Sequence, residues 1–345
     1  MARPTLRDVA AAAGVHIATA SRALNSGTRS KVNDQTAERV IAVAERLGYM
    51  PDPVARSLKT ARSRSIGLVI PDIANPLFPP IIRGIECRLE ADGYDLAIVN
   101  TDNDARRERR LIESLLSRKV AGLIIATARR EHALLEELHA RGLALVLINR
   151  DSEGLDVPAI TPADADGMRL LVAHLADLGH RRVAFVGGPP TTSTGWRRAR
   201  AFVDAVREHD LVSRGGWRTS SDSWSIPGGH AAMSELLEDT TPPAFTSVIA
   251  ANDLLALGCC DALCERGLTP GTDISVAGFN GMDFLDRLAV PLTSVRIPHR
   301  ALGERAAELL LDLIGRNQVG SATMSAELPV QLIPRASTAP PSPTG

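Results

Sequence analysis

Cysteine is scarce in this chain. Its 345 residues hold four, Cys87, Cys259, Cys260 and Cys264. None forms a Cys-x-x-Cys pair and no histidine cluster stands nearby, which excludes a disulfide framework or a zinc site and leaves small packing residues. Long apolar runs are missing too. No stretch reaches the roughly 18 residues of a membrane span, and MARPTLRDVA at the start lacks the apolar region of a secretory signal. A cytoplasmic protein without a membrane partner is expected. The strings GxGxxG, GxxxxGK(S/T), GxSxG and HExxH are also absent. Gly187-Gly188-Pro189-Pro190 lacks the spacing of a phosphate cradle. No nucleophile, base and orienting group assemble, so the chain is expected to be no enzyme and to need no cofactor or metal.

What is present reads as globular, with 44% hydrophobic and 23% charged residues. The net charge of −1 is unevenly spread. Residues 1–62 carry ten Lys and Arg against five Asp and Glu, so the head is at +5 and the remainder at −6. A basic head on an acidic body is the asymmetry expected when one end alone meets phosphate.

That head has the periodicity of three short helices. Leu6, Val9, Ala10 and Ala13 recur at helical spacing, Thr5 and Asp8 make a capping signature, and Gly14 suits a left-handed end. A second helix fits Ile17 to Leu24. A third begins near Asn33, turns Val40, Val43, Ala44 and Leu47 to one side, and stops at Gly48. Two short helices about a tight glycine turn, with a third in support, make a helix-turn-helix.

The residues are more specific than the pattern. Asp8-Val9-Ala10, Ala13-Gly14-Val15, Thr19, Ser21-Arg22, Leu24-Asn25, Arg39-Val40 and Leu47-Gly48-Tyr49 resemble the LacI/GalR family of repressors almost position for position. The resemblance implies that the second helix enters the major groove of operator DNA, with Ile17, Ala18 and Arg22 touching bases. Chemistry agrees: Arg22 can pair bidentately with guanine, while Ile17 and Ala18 offer apolar contact to a thymine methyl. Thr5, Thr19, Ser21, Asn25 and Lys31 are the expected backbone contacts, which set register. His16 stands where the family usually has Ser, a better N-cap. Arg29 lies with Lys31 in the connection SGTRSKVND.

Pro51-Asp52-Pro53 then breaks the third helix. Asp52 with Pro53 can start a short helix over Val54–Lys59, under two turns and unstable alone. In the family, paired hinge helices press a leucine into the minor groove; here that implies Leu58, with Ala55 beside it.

From Ser65 the texture becomes short apolar runs alternating with helical stretches. The runs are Ile66–Ile70, Asp95–Val99, Gly122–Ile125, Leu145–Ile148, Val183–Val186, Ser247–Ala250 and Ile274–Gly278. Such alternation means βαβ units and parallel sheets. The expected fold is therefore α/β: a two-subdomain, periplasmic-binding-protein-like core of doubly wound parallel sheets behind an all-α helix-turn-helix domain. Ligands in open α/β sheets lie beyond the carboxyl ends of strands. Residues there, with the resemblance, nominate Asp72, Asn75 and Phe78 after the first strand, Asn149, Thr194, Arg198, Trp224, Asn252 and Asn280. Arg198 stands where the family has an effector-binding arginine, and Trp224 and Phe78 could stack on an apolar ligand face. Asn280 replaces the common family acid that grips sugar hydroxyls, which leaves the effector open.

The expected boundaries are a headpiece at 1–48, a hinge at 49–62, a core at 63–335 and a disordered tail at 336–345. Within the core, one subdomain takes about 65–162 plus 297–326 and the other about 163–295 plus 327–335. The tail has no leucine heptads, so a homodimer is expected, one headpiece per half of a pseudo-palindromic operator. The function read here is a transcriptional regulator, a repressor, whose operator affinity is set by a small-molecule effector, a sugar or related polar metabolite.

Overall fold

The structure, a computed structural model, describes residues 4–24, 28–49, 64–238, 243–315 and 325–342. Asn25, Ala55 and Leu58, and all of the expected hinge except Tyr49, lie outside the described residues. The chain divides into two compact units, Met1–Ser63 and Arg64–Gly345.

In the first unit, α1 spans Leu6–Ala12, α2 Ile17–Ala23 and α3 Asp34–Leu47. Each start is chemically capped. Thr5 and Asp8 form a full capping box, the Asp8 carboxylate accepting from the Thr5 backbone N–H at 2.7 Å. That pairing holds the Asp8 carboxyl below its ordinary range. Asn33 caps α3. His16, standing where the family usually has the better-capping Ser, caps α2 through its Nδ1, which accepts from the Ala18 N–H at 3.2 Å. Gly48 ends α3 at φ 63°, the left-handed conformation that favours glycine. The three helices bury a compact cluster of small residues, including Val9, Ala10, Ala20, Ala37 and Val40.

The second unit alternates strands and helices. In chain order these are β1 (Ser65–Ile70), α4 (Phe78–Ala91), β2 (Asp95–Asn100), α5 (Ala105–Ser117), β3 (Gly122–Ile125), α6 (Ala133–Ala140), β4 (Leu145–Ile148), β5 (Ala159–Pro162), α7 (Asp164–Asp177) and β6 (Val183–Gly187). There follow α8 (Ser193–Glu208), β7 (Arg218–Ser220), α9 (Ile226–Glu238), β8 (Ser247–Ala250), α10 (Asp253–Glu265), β9 (Ser275–Asn280), β10 (Thr293–Arg296), α11 (His299–Gly315), β11 (Ala326–Leu328) and β12 (Gln331–Ile333).

The strands form two six-stranded sheets, β11-β5-β4-β3-β1-β2 and β12-β10-β9-β8-β6-β7. Both faces are covered in the first. Ile66, Leu68 and Ile70 of β1 pack into one cluster while Val69 packs into another, and Ile124 of β3 opposes Leu123 and Ile125 in the same way. This is the two-residue period of a strand buried on both sides. The helices over it cross closely: a side chain at Gly84 of α4 would overlap the Arg300 carbonyl, and one at Gly303 of α11 the Ile81 carbonyl.

The chain passes between the sheets three times, after β5, after β10 and after β11. Two expectations are made finer and a third is corrected. The last crossing falls after Leu328, because β11 pairs with β5, rather than at 326/327. The second sheet is not wholly parallel: β12 runs antiparallel to β10 at its edge. And the tail is ordered as far as it is described, residues 336–342. Ser337 is fully buried, its Oγ accepting from the Thr293 N–H at 2.8 Å and donating to the Val276 carbonyl at 2.6 Å. A Ser/Thr-rich segment reads as disordered when it cannot bury apolar surface, but here its hydroxyls satisfy backbone groups of the second sheet.

Candidate functional site

In the first unit, the exposed side of α2 is set by what its other side buries. Ala20 and Ala23 are buried, three residues apart, against α1 and α3. Residues off that stripe must face outward. Ile17, a large apolar side chain, is 39% exposed, Arg22 is exposed, and Ala18, Thr19 and Ser21 are half-buried. Ala18 and Arg22, four apart, share a face. Thr5 is exposed, with its hydroxyl donating to Asp8 at 2.7 Å in the cap. Lys31 is exposed on a single 3-10 turn, Arg29–Lys31, beyond α2.

In the second unit a narrow cavity lies beyond the carboxyl ends of the strands, where the two sheets meet. Eight of the nine sequence-nominated residues line it. Asn75 and Phe78 enter from the loop after β1 and the start of α4; Asn149 directly follows β4; Thr194 and Arg198 lie on α8. Trp224 precedes α9, Asn252 caps α10, and Asn280 ends β9. Asp72 is the exception: it is absent from the wall, and its Oδ1 accepts from the Ala74 N–H at 2.9 Å in a local turn. Leu77 and Arg150 line the cavity although sequence reasoning did not name them. Asn149 adopts φ 66° and Asn280 φ 115°, in the left-handed half of backbone space that Asn tolerates better than most residues.

Arg198 is the centre of the wall. It is 2% exposed, and its Nε donates to Asp164 Oδ1 at 2.7 Å. Its Nη1 donates to the Ala251 carbonyl at 2.7 Å and to Asn280 Oδ1 at 3.2 Å. The guanidinium lies 3.8 Å from the Phe279 ring centroid, and that ring rests against Gly167, where any side chain would collide with it. Gly188 plays the same part under the Trp224 indole. Burial pushes the Asp164 carboxyl above its ordinary range although Arg198 pulls it down. Burial pushes Asp253 up to about 7 despite hydrogen bonds from Ser294, Met282 and Gly281. Arg150, 7% exposed, is pushed down to about 10 by burial, with Arg198 and Arg129 repelling it. Across the mouth, the Arg130 N–H donates to the Thr191 carbonyl at 2.9 Å and the Asp151 N–H to Ser193 Oγ at 3.0 Å. Arg197 forms an ion pair with Asp151. Among the described residues no group of three or more metal-ligating side chains gathers, and no helix is long and apolar enough to cross a membrane.

Known proteins agree with this architecture. Residues 5–52 match the lacI family of bacterial regulatory proteins, and residues 172–338 match a periplasmic binding protein-like domain. The chain is 32% identical to the ribose operon repressor of Bacillus subtilis, over 97% of this chain and 98% of that one. It is 30% identical to the transcriptional repressor CytR of Escherichia coli, over 97% and 96%. Among solved structures, a lac repressor dimer bound to operator and the anti-inducer ONPF superposes with a TM-score of 0.83 at 27% identity, covering 98% of this chain and all of that one. A regulator from Enterococcus faecium with bound ribose superposes at 0.68 with 30% identity, covering 81% of this chain and all of that one.

Proposed function

This chain belongs to the LacI family of bacterial regulatory proteins, and from that premise we propose that the outer face of α2 reads an operator while the cleft of the core admits the effector that governs it. It is a DNA-binding transcriptional regulator of the repressor type, with a sugar-binding-type effector core. Arg22, Ile17 and Ala18 are the base readers; Thr5, Thr19, Ser21, Asn25 and Lys31 hold phosphates. Ala55 and Leu58 serve the minor groove. Two copies bind one pseudo-palindromic site, and the protein acts in the cytoplasm, where its DNA is. The observation that carries the reading is the exposure of Ile17 and Arg22 on a capped helix whose opposite side is buried.

The cleft residues are the effector contacts. Ligand between the two sheets changes their relative angle, and through it the spacing of the two headpieces; linkage requires operator DNA to change ligand affinity by the same factor.

Selection of duplexes from a random library with the full chain, followed by anisotropy titrations across salt, tests this. A two-fold symmetric site is expected. Arg22→Ala should weaken the selected site by about 1–3 kcal/mol without weakening random DNA. Lys31→Ala should weaken both alike and reduce the salt slope by about one. Enrichment of no site, or of an asymmetric one, defeats the reading.

A further inference from the structure

We propose that the cleft takes an anionic polyol, a sugar acid or sugar phosphate, whose charged group pairs with Arg150. The inference deepens the effector reading above and rests on it.

The wall carries two guanidiniums and no carboxylate. Arg198 is already balanced, since Asp164 meets its charge at 2.7 Å and Ala251 and Asn280 accept from it. Arg150 is not. It is more than nine-tenths buried, its Nε has no hydrogen-bond partner, and it makes no ion pair among the described residues. Its charged neighbours are mostly of its own sign: Arg198 and Arg129. The opposite charge that acts on it, Glu108, is engaged elsewhere, by Thr127, by Arg129 at 3.1 Å and by His132 at 3.4 Å. Asp253, the other buried acid near Arg198, is pushed up to about 7 by burial and already accepts from Ser294 and the Met282 N–H.

Arginine does not shed its proton in a protein, so a buried guanidinium without a counter-charge is costly. A carboxylate or phosphate matches its planar fork bidentately. A neutral sugar would fill the space and leave the charge unmet. The rest of the wall suits an oxygen-rich anion. Asn75, Asn149, Asn252 and Asn280 present carboxamides, which hydrogen-bond to hydroxyls without repelling a negative charge. Asn149 Oδ1 is itself buried without a partner. Two helices, α8 and α10, begin at the wall, with Thr194 in the first turn of one and Asn252 capping the other; their positive ends favour an anion further.

Calorimetric titration of the full chain with D-ribose, D-ribonate and D-ribose 5-phosphate, at matched ionic strength, tests this. At least one anion should bind about tenfold or more tightly than ribose; the two anions separate a carboxylate from a phosphate as the preferred group. Arg150→Gln should bring that ratio towards one. Asn280→Asp, which places a carboxylate beside Arg198, should lower it independently should the first variant fold poorly. Ribose binding as tightly as both anions, no binding by either anion, or an undiminished preference in Arg150→Gln overturns the proposal. Operator binding by the same preparation, measured without ligand, reports separately on the regulator reading.

Discussion

Replacing Arg198 with Met puts the central contact of the cleft to the test. The side chain is 2% exposed, as is its partner Asp164, and their ion pair is 2.7 Å long. Methionine fills similar volume and can still lie on the Phe279 ring, so the loss is one of charge and hydrogen bonding rather than of packing. Removing one member of a buried pair typically costs about 3–5 kcal/mol, because the other charge stays buried. The Ala251 carbonyl also loses its donor, adding about 1 kcal/mol. For a domain of this size each kcal/mol lowers the melting temperature by about 2–4 °C, so the core transition should drop by on the order of 10 °C. The deficit must depend on pH. Burial already raises the Asp164 carboxyl, and without Arg198 it rises further. A carboxyl raised in the folded state stabilises below its unfolded value, near 4, and that contribution is lost as pH rises through the folded value. The gap between wild type and variant should therefore widen from about pH 5 to pH 8. Scanning calorimetry over that range measures it, and the double variant Arg198→Met with Asp164→Leu should recover much of the loss. A variant as stable as wild type, or a deficit flat with pH, would refute the assignment of Asp164 as a buried charge held by Arg198.

Other consequences follow from single contacts. His16→Ser should stabilise the first unit by up to about 1 kcal/mol, since a hydroxyl caps a helix better than an imidazole; denaturant titration followed at helical wavelengths reads it, and a loss of stability counts against the cap. Asp253, pushed up to about 7, stabilises the core most below pH 4 and loses that contribution as pH rises through 7. His299, pushed down to about 4 by burial, acts oppositely, its contribution being lost as pH falls from 6.5 through 4. The wild-type minus Asp253→Asn difference isolates the former: it should fall by about 4 kcal/mol between pH 4 and 8, and a pH-independent difference would contradict it. Ending the chain after Arg335 removes Ser337 and the Ala339 carbonyl, which lies 2.9 Å from His180 Nε2. It exposes the unpaired Thr293 N–H and should lower the core transition by several degrees; an unchanged melt would mean that the tail contributes nothing.

Seven strands were legible from their apolar runs: β1, β3, β4, β6, β8 and β9, which are buried on both faces, and the half-exposed edge strand β2. Those not foreseen, β5, β7, β10, β11 and β12, are three or four residues long and mix polar with apolar positions. Pro162 in β5 and Ser294 in β10 carry no strand signal, and their pairing is decided by tertiary contact. The cleft was largely legible because its residues sit at strand ends and helix starts, which topology fixes. Arg150 was missed for a specific reason. In a regular strand, neighbours point to opposite faces, so naming Asn149 argues against Arg150. The backbone at Asn149 turns left-handed, the alternation breaks, and both residues reach the same cavity. Asp72 was nominated by its position after the first strand and by the resemblance, and its carboxylate closes a turn before reaching the wall.

The cleft is wired to the points where the chain crosses between sheets. Arg198 holds Asp164, the first residue of α7 directly after the β5 crossing. The neighbouring Ala163 N–H donates at 2.9 Å to the Leu328 carbonyl, at the crossing after β11. Arg198 also holds the side chain of Asn280, whose carbonyl accepts from the Ile297 N–H at 3.2 Å, at the crossing after β10. One guanidinium thus touches, directly or through one hydrogen bond, all three crossings. A ligand that draws on Arg198 or Asn280 must share these donors and acceptors with the crossings, and close-packed surroundings with few voids relay such a change as a shift in angle rather than absorb it. Coupling of this kind needs two discrete arrangements of the sheets with different ligand contacts, not a mere path of atoms. The contacts across the mouth, Arg130 to Thr191 and Asp151 to Ser193 and Arg197, are what one arrangement has and a more open one would lack.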